Sequence, residues 1–326
     1  MNPADYSDIS FPWLNIQINP PRSLEIGPLS IHLYGLIIAV GLLLAVIYGL
    51  KRSAQFGLKE DDILDGVLGI VPFAIICARL YYVAFKWSDF AENPISILYI
   101  WEGGLAIYGG VIGALLGVLV LCWIRKIRPG ALLDVVALGF MIGQCLGRWG
   151  NFFNREAYGS ATEIFCKMGL YNEYKKGFDY YHPTFLYESL WNLVGFIVLH
   201  FLSKKRRYDG QIALGYLFWY GLGRAFIEGL RTDSLYIGSL RVSQLLAVIT
   251  CFVAALLLII NHFRYHDPDD LFVNIVAARE EEEDEDDDED EDEDEEEDDE
   301  DDDEDSDEDS DEDSDEDSDE DDDDDN

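Results

Sequence analysis

Little in this sequence points to a metal site, a disulfide scaffold or a cleaved leader. Five cysteines are present, and four of them (Cys77, Cys122, Cys145 and Cys251) lie inside apolar runs, where a thiol serves as a small hydrophobe. Only Cys166 sits in a polar stretch. No pair has metal-type spacing, and an odd count argues against a disulfide framework. The first 30 residues lack the basic start and apolar core of a secretory signal, which leaves export to the first apolar run. No internal repeat is evident in the body of the chain. A basic excess is missing too, and no nucleic-acid partner is expected.

What is abundant is acid, and it is confined to one place. Of 64 acidic residues, 42 lie in Glu280–Asp325, where serine is the sole other residue type. Residues 1–279 keep 22 acids against 23 Lys and Arg, so the net charge of −41 belongs to the tail. A like-charge run of that length repels itself and has nothing to bury, and it is expected to be disordered. Ser306, Ser310, Ser314 and Ser318 recur in it, each followed by Asp-Glu. That pattern fits a solvated low-complexity segment; phosphorylation or loose divalent-cation binding are the functional alternatives.

The body is apolar. Runs long enough to span a bilayer cover residues 31–50, 63–84, 104–124, 131–148, 184–202, 211–229 and 242–262. These predict an all-α integral membrane protein of about seven transmembrane helices. Pro72, Arg79 and the glycines around Gly143 interrupt the second and fourth runs, which membrane helices tolerate. Lys51, Arg52 and Lys59 follow the first run, Arg125, Lys126 and Arg128 the third, and Lys204–Arg207 the fifth. By the positive-inside rule these loops are cytoplasmic, the N-terminus is outside and the C-terminus is cytoplasmic. The expected organisation is an external arm at 1–30, a membrane domain at 31–265 with an external segment at 149–183, a linker at 266–279, and the tail at 280–326.

Charge inside a membrane span is costly and marks function. Arg148 closes the fourth run and is followed by Asn151, Asn154 and Glu156. Tyr220, Arg224, Glu228 and Arg231 share one helical face of the sixth. Tyr34, Arg79, Tyr108 and His182 fall at the same outer depth, so six helices place polar side chains in one layer. Each residue also has a plainer reading. Arg79 and Arg231 suit snorkelling to headgroups, and Arg224–Glu228 suits an i,i+4 pair. The tyrosines suit an aromatic belt, and His182 before Pro183 suits a helix cap. Shared depth is what those readings do not predict. Two arginines with amides and a glutamate describe a pocket for an anionic headgroup, because guanidinium binds phosphate bidentately and stays charged. Gly103, Gly104, Gly109, Gly110, Gly113 and Gly117 thin a face of the third run, which favours close helix packing and also admits lipid near the backbone.

Gly147-Arg148-Trp149-Gly150-Asn151-Phe152-Phe153-Asn154-Arg155-Glu156 resembles the signature of the prolipoprotein diacylglyceryl transferase family. His182-Pro183-Thr184-Phe185-Leu186-Tyr187-Glu188, Gly223-Arg224-Ala225-Phe226-Ile227-Glu228 and Leu33-Tyr34-Gly35-Leu36 resemble it as well, in family order. The resemblance runs from about residue 28 to 265. It implies transfer of a diacylglyceryl group from phosphatidylglycerol to the lipobox cysteine of an exported prolipoprotein, at the bacterial inner membrane, with glycerol phosphate released and no metal or redox cofactor required. Carried over by position, Arg148 and Arg224 hold the phosphate. Asn151, Asn154, Glu156 and Gly159 shape the headgroup site; His182 and Arg231 join the substrate-binding set by their shared outer depth. Tyr34 and Tyr220 line the cavity, while Glu228 orients Arg224 or accepts a proton. Some members carry a histidine, proposed as the base, where this chain has Tyr108, and this leaves the base unassigned. Transporters, the competing class, tend to show inverted repeats and midplane broken helices; a non-catalytic lipid-binding protein is the third reading. With the site outside and the tail inside, truncation after Asp270 is expected to leave catalysis nearly unchanged.

Overall fold

A computed structural model describes residues 8–27, 29–232, 236–237 and 240–282. The expected acidic tail lies almost wholly outside the described residues. The chain divides into Met1–Ala277 and Ala278–Asn326, and within the second unit residues 278–282 are helical.

The first unit opens with strands β1 (Ile9–Phe11), β2 (Ile16–Ile18), β3 (Ser23–Ile26) and β4 (Leu29–His32). Helix α1 (Leu33–Arg52) follows directly. Then come α2 (Glu60–Phe85), the short α3 (Trp87–Phe90), α4 (Ile107–Arg125) and α5 (Pro129–Asn154). A hairpin of β5 (Met168–Asn172) and β6 (Gly177–Tyr181) leads to α6 (Thr184–Ser203), α7 (Gln211–Ile227), the strand pair β7 (Tyr236–Ile237) and β8 (Leu240–Arg241), and α8 (Val242–Phe263). Six helices, α1, α2, α4, α5, α6 and α8, are long and apolar enough to cross a membrane. Helix α7 has 17 residues and continues into a 3-10 turn at Glu228–Leu230. The strands are additions that the apolar runs do not announce: apart from the end of β4, which enters the first run at Ile31 and His32, they lie outside every run that could span a bilayer.

Helix α5 is the centre of the bundle. It packs on α1, α6 and α7, while α2 pairs with α4 and α7 with α8. Ala131, Leu132, Val135, Leu138 and Met141 give it a buried face. Small residues set the spacing. A Cβ built on Gly41 of α1 would lie 3.6 Å from the Gly143 Cα, so those backbones nearly touch. On α4, a Cβ at Gly109 would fall 2.6 Å from the Cys77 carbonyl oxygen, and one at Gly113 would fall 2.5 Å from Cys77 Cβ. The glycine face of that helix is therefore its seam with α2.

Two devices fix α7 against its neighbours. At its start, the fully buried Asp134 of α5 accepts the Gly210 N–H at 3.0 Å and the Ala213 N–H at 2.8 Å. A carboxylate there satisfies donors that a helix N-terminus leaves unpaired and complements its dipole. Further along, Trp191 of α6 and Trp219 of α7 stack with centroids 4.6 Å apart. Each indole N–H donates to the other's backbone carbonyl at 2.9 Å. Gly223 makes room for this: a Cβ on it would sit 2.2 Å from Trp191 Nε1.

Beyond α8 the chain is tied down again. Phe272 is buried in the same cluster as Phe56 and Leu132, and its N–H donates to Asp209 Oδ2 at 2.9 Å. Gly57, at φ +73°, lets the chain pass so close that a Cβ there would meet Val273 Cα at 2.7 Å.

Candidate functional site: an arginine cluster on a buried glutamate

The ends of α5 and α7 and the start of α6 lie at one end of the bundle, because consecutive helices alternate in direction. Each brings one charged group. Glu188, in the second turn of α6, has a side chain only 4% exposed, and three guanidinium groups converge on it. Arg148 Nη2 of α5 lies 2.5 Å from Oε2. Arg224 Nη1 of α7 donates to Oε1 at 3.1 Å and to Oε2 at 3.3 Å. Arg231, just past the 3-10 turn, donates through Nη1 to Oε1 at 3.3 Å. Arg224 is also held from its other side, with Nη2 2.7 Å from Glu228 Oε2. The backbone carbonyl of Glu228 accepts from Arg241 Nη1 at 2.7 Å.

Among the described residues, Arg148, Arg224 and Arg231 gather on the carboxylates of Glu188 and Glu228. The groups sit in a partly desolvated place, where charges interact more strongly than in water. Arg148 and Arg224 stay partly open, with side chains 21% and 17% exposed. The carboxylates hold these two guanidinium forks in place. Among the described residues no His, Cys, Asp and Glu group is arranged to hold a metal ion.

A second layer adjoins it. Arg148 Nη1 lies 3.4 Å from Asn151 Oδ1, and the amides of Asn151 and Asn154 reach Glu156 Oε1 at 2.9 and 3.3 Å. The loop that aims Glu156 carries two non-glycine residues in left-handed conformation, Arg155 at φ 56° and Ala157 at φ 56°. Such conformations persist only when the surroundings hold them. Arg155 supplies part of that hold, binding the Asn19 side chain and the Pro20 carbonyl at 3.0 and 2.7 Å. A cavity of about 340 Å³ opens beside Glu156, lined by Arg155, Ala157, Tyr158 and Thr232. A further cavity of about 510 Å³ sits on the β5–β6 hairpin around Lys175 and Asp179 and includes none of these residues.

A sheet braces the cluster. The strands run β2-β1-β5-β6, all antiparallel. Residues 159–162 extend the sheet: the Gly159 N–H donates to the His182 carbonyl at 2.9 Å, and Thr162 N–H to Tyr180 at 3.0 Å. Ser160 N–H then donates to Leu230 at 2.7 Å, next to Arg231. Gly159 is needed at this crossing, since a Cβ there would lie 2.7 Å from His182 Cβ.

Of the residues singled out from sequence, Arg148, Arg224, Glu228 and Arg231 meet in one cluster, with Asn151, Asn154 and Glu156 adjoining it. Gly159 and His182 act through backbone. The His182 ring turns to Tyr187, with Nδ1 3.4 Å from its hydroxyl, and burial lowers its pKa from 6.5. Tyr34 lays its ring on Gly150, where a Cβ would fall 2.5 Å from Cδ2. Tyr220 stacks on Tyr216. Tyr108 is 43% exposed and makes no hydrogen bond among the described residues. Arg79 belongs elsewhere: its guanidinium binds the carbonyls of Ile97, Gly103, Gly104 and Ser96 at 2.6–3.0 Å and lies over Phe90. The residue that sequence reasoning missed is Glu188. Its signal was a carboxylate five residues into an apolar run, the same signal that singled out Arg224.

Membrane-length helices closing around arginines on buried glutamates define a multi-pass membrane protein with a charged cluster near one end of its bundle. Residues 21–260 match the family model for prolipoprotein diacylglyceryl transferase, and the chain belongs to that family. It is 44% identical over 248 residues to a phosphatidylglycerol–prolipoprotein diacylglyceryl transferase of Limosilactobacillus reuteri, covering 74% of this chain and 90% of the relative. The correspondingly named protein of Ligilactobacillus salivarius is 44% identical over 256 residues, covering 76% and 94%. That of Bacillus velezensis is 42% identical over 262 residues, covering 76% and 97%.

Proposed function

We propose that this chain transfers the diacylglyceryl group of phosphatidylglycerol to the lipobox cysteine thiol of a prolipoprotein, a step of bacterial lipoprotein maturation. The observation that carries the reading is the pair of partly open arginines, Arg148 and Arg224, locked on one buried glutamate. In this reading the two guanidinium groups hold the lipid phosphate. Asn151, Asn154 and Glu156 offer acceptors and donors to the headgroup glycerol, whose hydroxyls are both. The thiolate sulfur attacks the glyceryl carbon next to the phosphate ester. An S–C bond forms, the C–O bond to phosphorus breaks, and the electron pair leaves on glycerol phosphate. The thiol proton ends on that leaving anion or in solvent. Charge grows on the phosphate as the bond breaks, and fixed guanidinium groups favour that transition state over the ground state.

Glu228 is an orienting group in this scheme. It is 1% exposed and its carboxylate pairs with Arg224, so it is poorly placed to receive a proton from a substrate. Helix α7 with its 3-10 turn makes the seventh crossing. The N-terminus is then outside, the last helix delivers the acidic tail to the cytoplasm, and the site faces the outer leaflet of the inner membrane.

The test is a transfer assay read by mass spectrometry. Detergent-purified protein is mixed with phosphatidylglycerol and a lipobox peptide bearing one cysteine. A diacylglyceryl mass gain on that cysteine, absent from Arg148→Ala, is expected. No gain from well-folded protein refutes the transferase reading.

A further inference from the structure

Below the arginines, α5 and α7 carry a second polar pair that the transfer chemistry leaves unused. Gln144 lies four residues before Arg148, and Tyr220 and Tyr216 lie four and eight before Arg224. At 1.5 Å per residue each step of four is roughly 6 Å deeper into the bundle. Gln144 Nε2 is 2.8 Å from the Tyr216 hydroxyl. Tyr216 stacks on Tyr220 at 5.7 Å, and Phe140, one turn deeper on α5, is 53% exposed.

The hydrogen-bond count at this pair is incomplete. Gln144 Oε1 is buried with no partner, and among the described residues no acceptor receives the Tyr216 hydroxyl hydrogen. The amide's oxygen and nitrogen are interchangeable in such a network. Exchanging them lets Tyr216 O–H donate to Oε1, which satisfies both oxygens and leaves the two amide hydrogens free. That arrangement is a pure donor in a desolvated place, where an unmet polar group costs about 1–3 kcal/mol. It calls for a ligand that brings acceptors only.

Phe140, then Gln144 and Tyr216, then Arg148 and Arg224 form a gradient from apolar through neutral donor to cation. A diacyl glycerophospholipid presents the same order from its chains through its ester carbonyls to its phosphate, with a handful of covalent bonds between the last two. Resting on the transferase reading above, we propose that Gln144 and Tyr216 form an ester-carbonyl subsite that sets the depth of the lipid. With the carbonyls held on the Gln144 amide, one turn below Arg148, the glyceryl carbon lies between the two levels, at the height where the thiolate must attack.

The experiment compares two lipids on one preparation of the full chain: diester phosphatidylglycerol and its dialkyl-ether counterpart of equal chain length, which has no carbonyls. The acceptor is the single-cysteine lipobox peptide. The wild-type chain is expected to favour the diester in kcat/KM by about tenfold, the worth of one to two net hydrogen bonds. Tyr216→Phe, which keeps the ring, and Gln144→Leu should each bring that ratio to within about twofold. The ratio is taken within one sample, so partial misfolding of a variant does not move it. A wild-type chain with no preference, or variants that keep it, overturns the subsite. Absence of product from both lipids would instead refute the transferase reading itself.

Discussion

Glu188→Gln tests whether the cluster works as a preorganised clamp. The substitution keeps size and removes one charge. In the native chain that charge meets three guanidinium groups, the nearest at 2.5 Å, on a side chain only 4% exposed. At an effective dielectric near 20, one such pair at 4 Å is worth about 4 kcal/mol before desolvation is subtracted. Breaking a buried pair from one side typically costs about 3–5 kcal/mol, because the partner charge is left behind. Part of that cost here falls on stability and part on geometry. Arg224 keeps Glu228 at 2.7 Å, whereas Arg148 has no second carboxylate among the described residues and is free to turn away. Mispointing one donor at a developing oxyanion usually costs a factor of about 10²–10³. The expected outcome is a kcat about 100-fold lower, or about 2.7 kcal/mol in barrier. KM for phosphatidylglycerol should stay within about threefold, because the site has become more positive and still binds phosphate. Glu188→Asp should recover part of kcat. The assay is initial rates over a range of lipid mole fractions in mixed micelles, with thermal midpoints in parallel. Unchanged kcat in folded Glu188→Gln, or a loss confined to KM, would refute the clamp.

Three other expectations follow from the geometry. Tyr108 has no hydrogen-bonded link to the cluster, so Tyr108→Phe should keep transfer within about threefold, whereas a dedicated general base contributes about 10²–10⁴; a hundredfold loss would make the phenol the base. Burial lowers the His182 pKa from 6.5, so the unfolded chain binds the extra proton first as the medium acidifies. Stability should therefore be full above about pH 6.5 and fall as pH drops toward the folded value; thermal midpoints from pH 7.5 to 5 should show this slope in the native chain and a shallower one in His182→Gln, and equal slopes would discount the histidine. Truncation after Asp270 deletes the buried Phe272, whereas truncation after Ala277 keeps it. Losing a buried Phe side chain costs about 3–5 kcal/mol, so the shorter chain should melt earlier while the longer one keeps both midpoint and transfer rate; equal midpoints would show that the 272–277 segment adds nothing.

That last contrast shows where the sequence ran out. Apolar runs located every long helix, because bilayer length and the absence of charge are local properties. Gly109 and Gly113 likewise told of close packing before any partner helix was known. Phe272 could not be placed the same way. One aromatic in a short polar stretch carries no period, and its burial depends on Phe56 and Asp209, each far off in sequence. The strands of residues 9–32 were illegible for a related reason. They are three or four residues long and stabilised by pairing with each other and with β5, so little within any one of them marks it.

The site was legible in its cations and less so in its anions, and the reason is physical. An arginine in an apolar run looks anomalous wherever it falls, but a glutamate near a helix start looks like an ordinary first-turn acid favoured by the helix dipole. Glu188 sits five residues into α6, just past the turn where that explanation suffices. Once three arginines converge from α5, α7 and the turn after it, self-repulsion alone would splay them, and a buried carboxylate has to exist somewhere among them. Counting unpaired charge across helices that meet at one depth would have demanded a second acid beyond Glu228. Only Glu188 lies in an apolar run at that level among the remaining glutamates of the body.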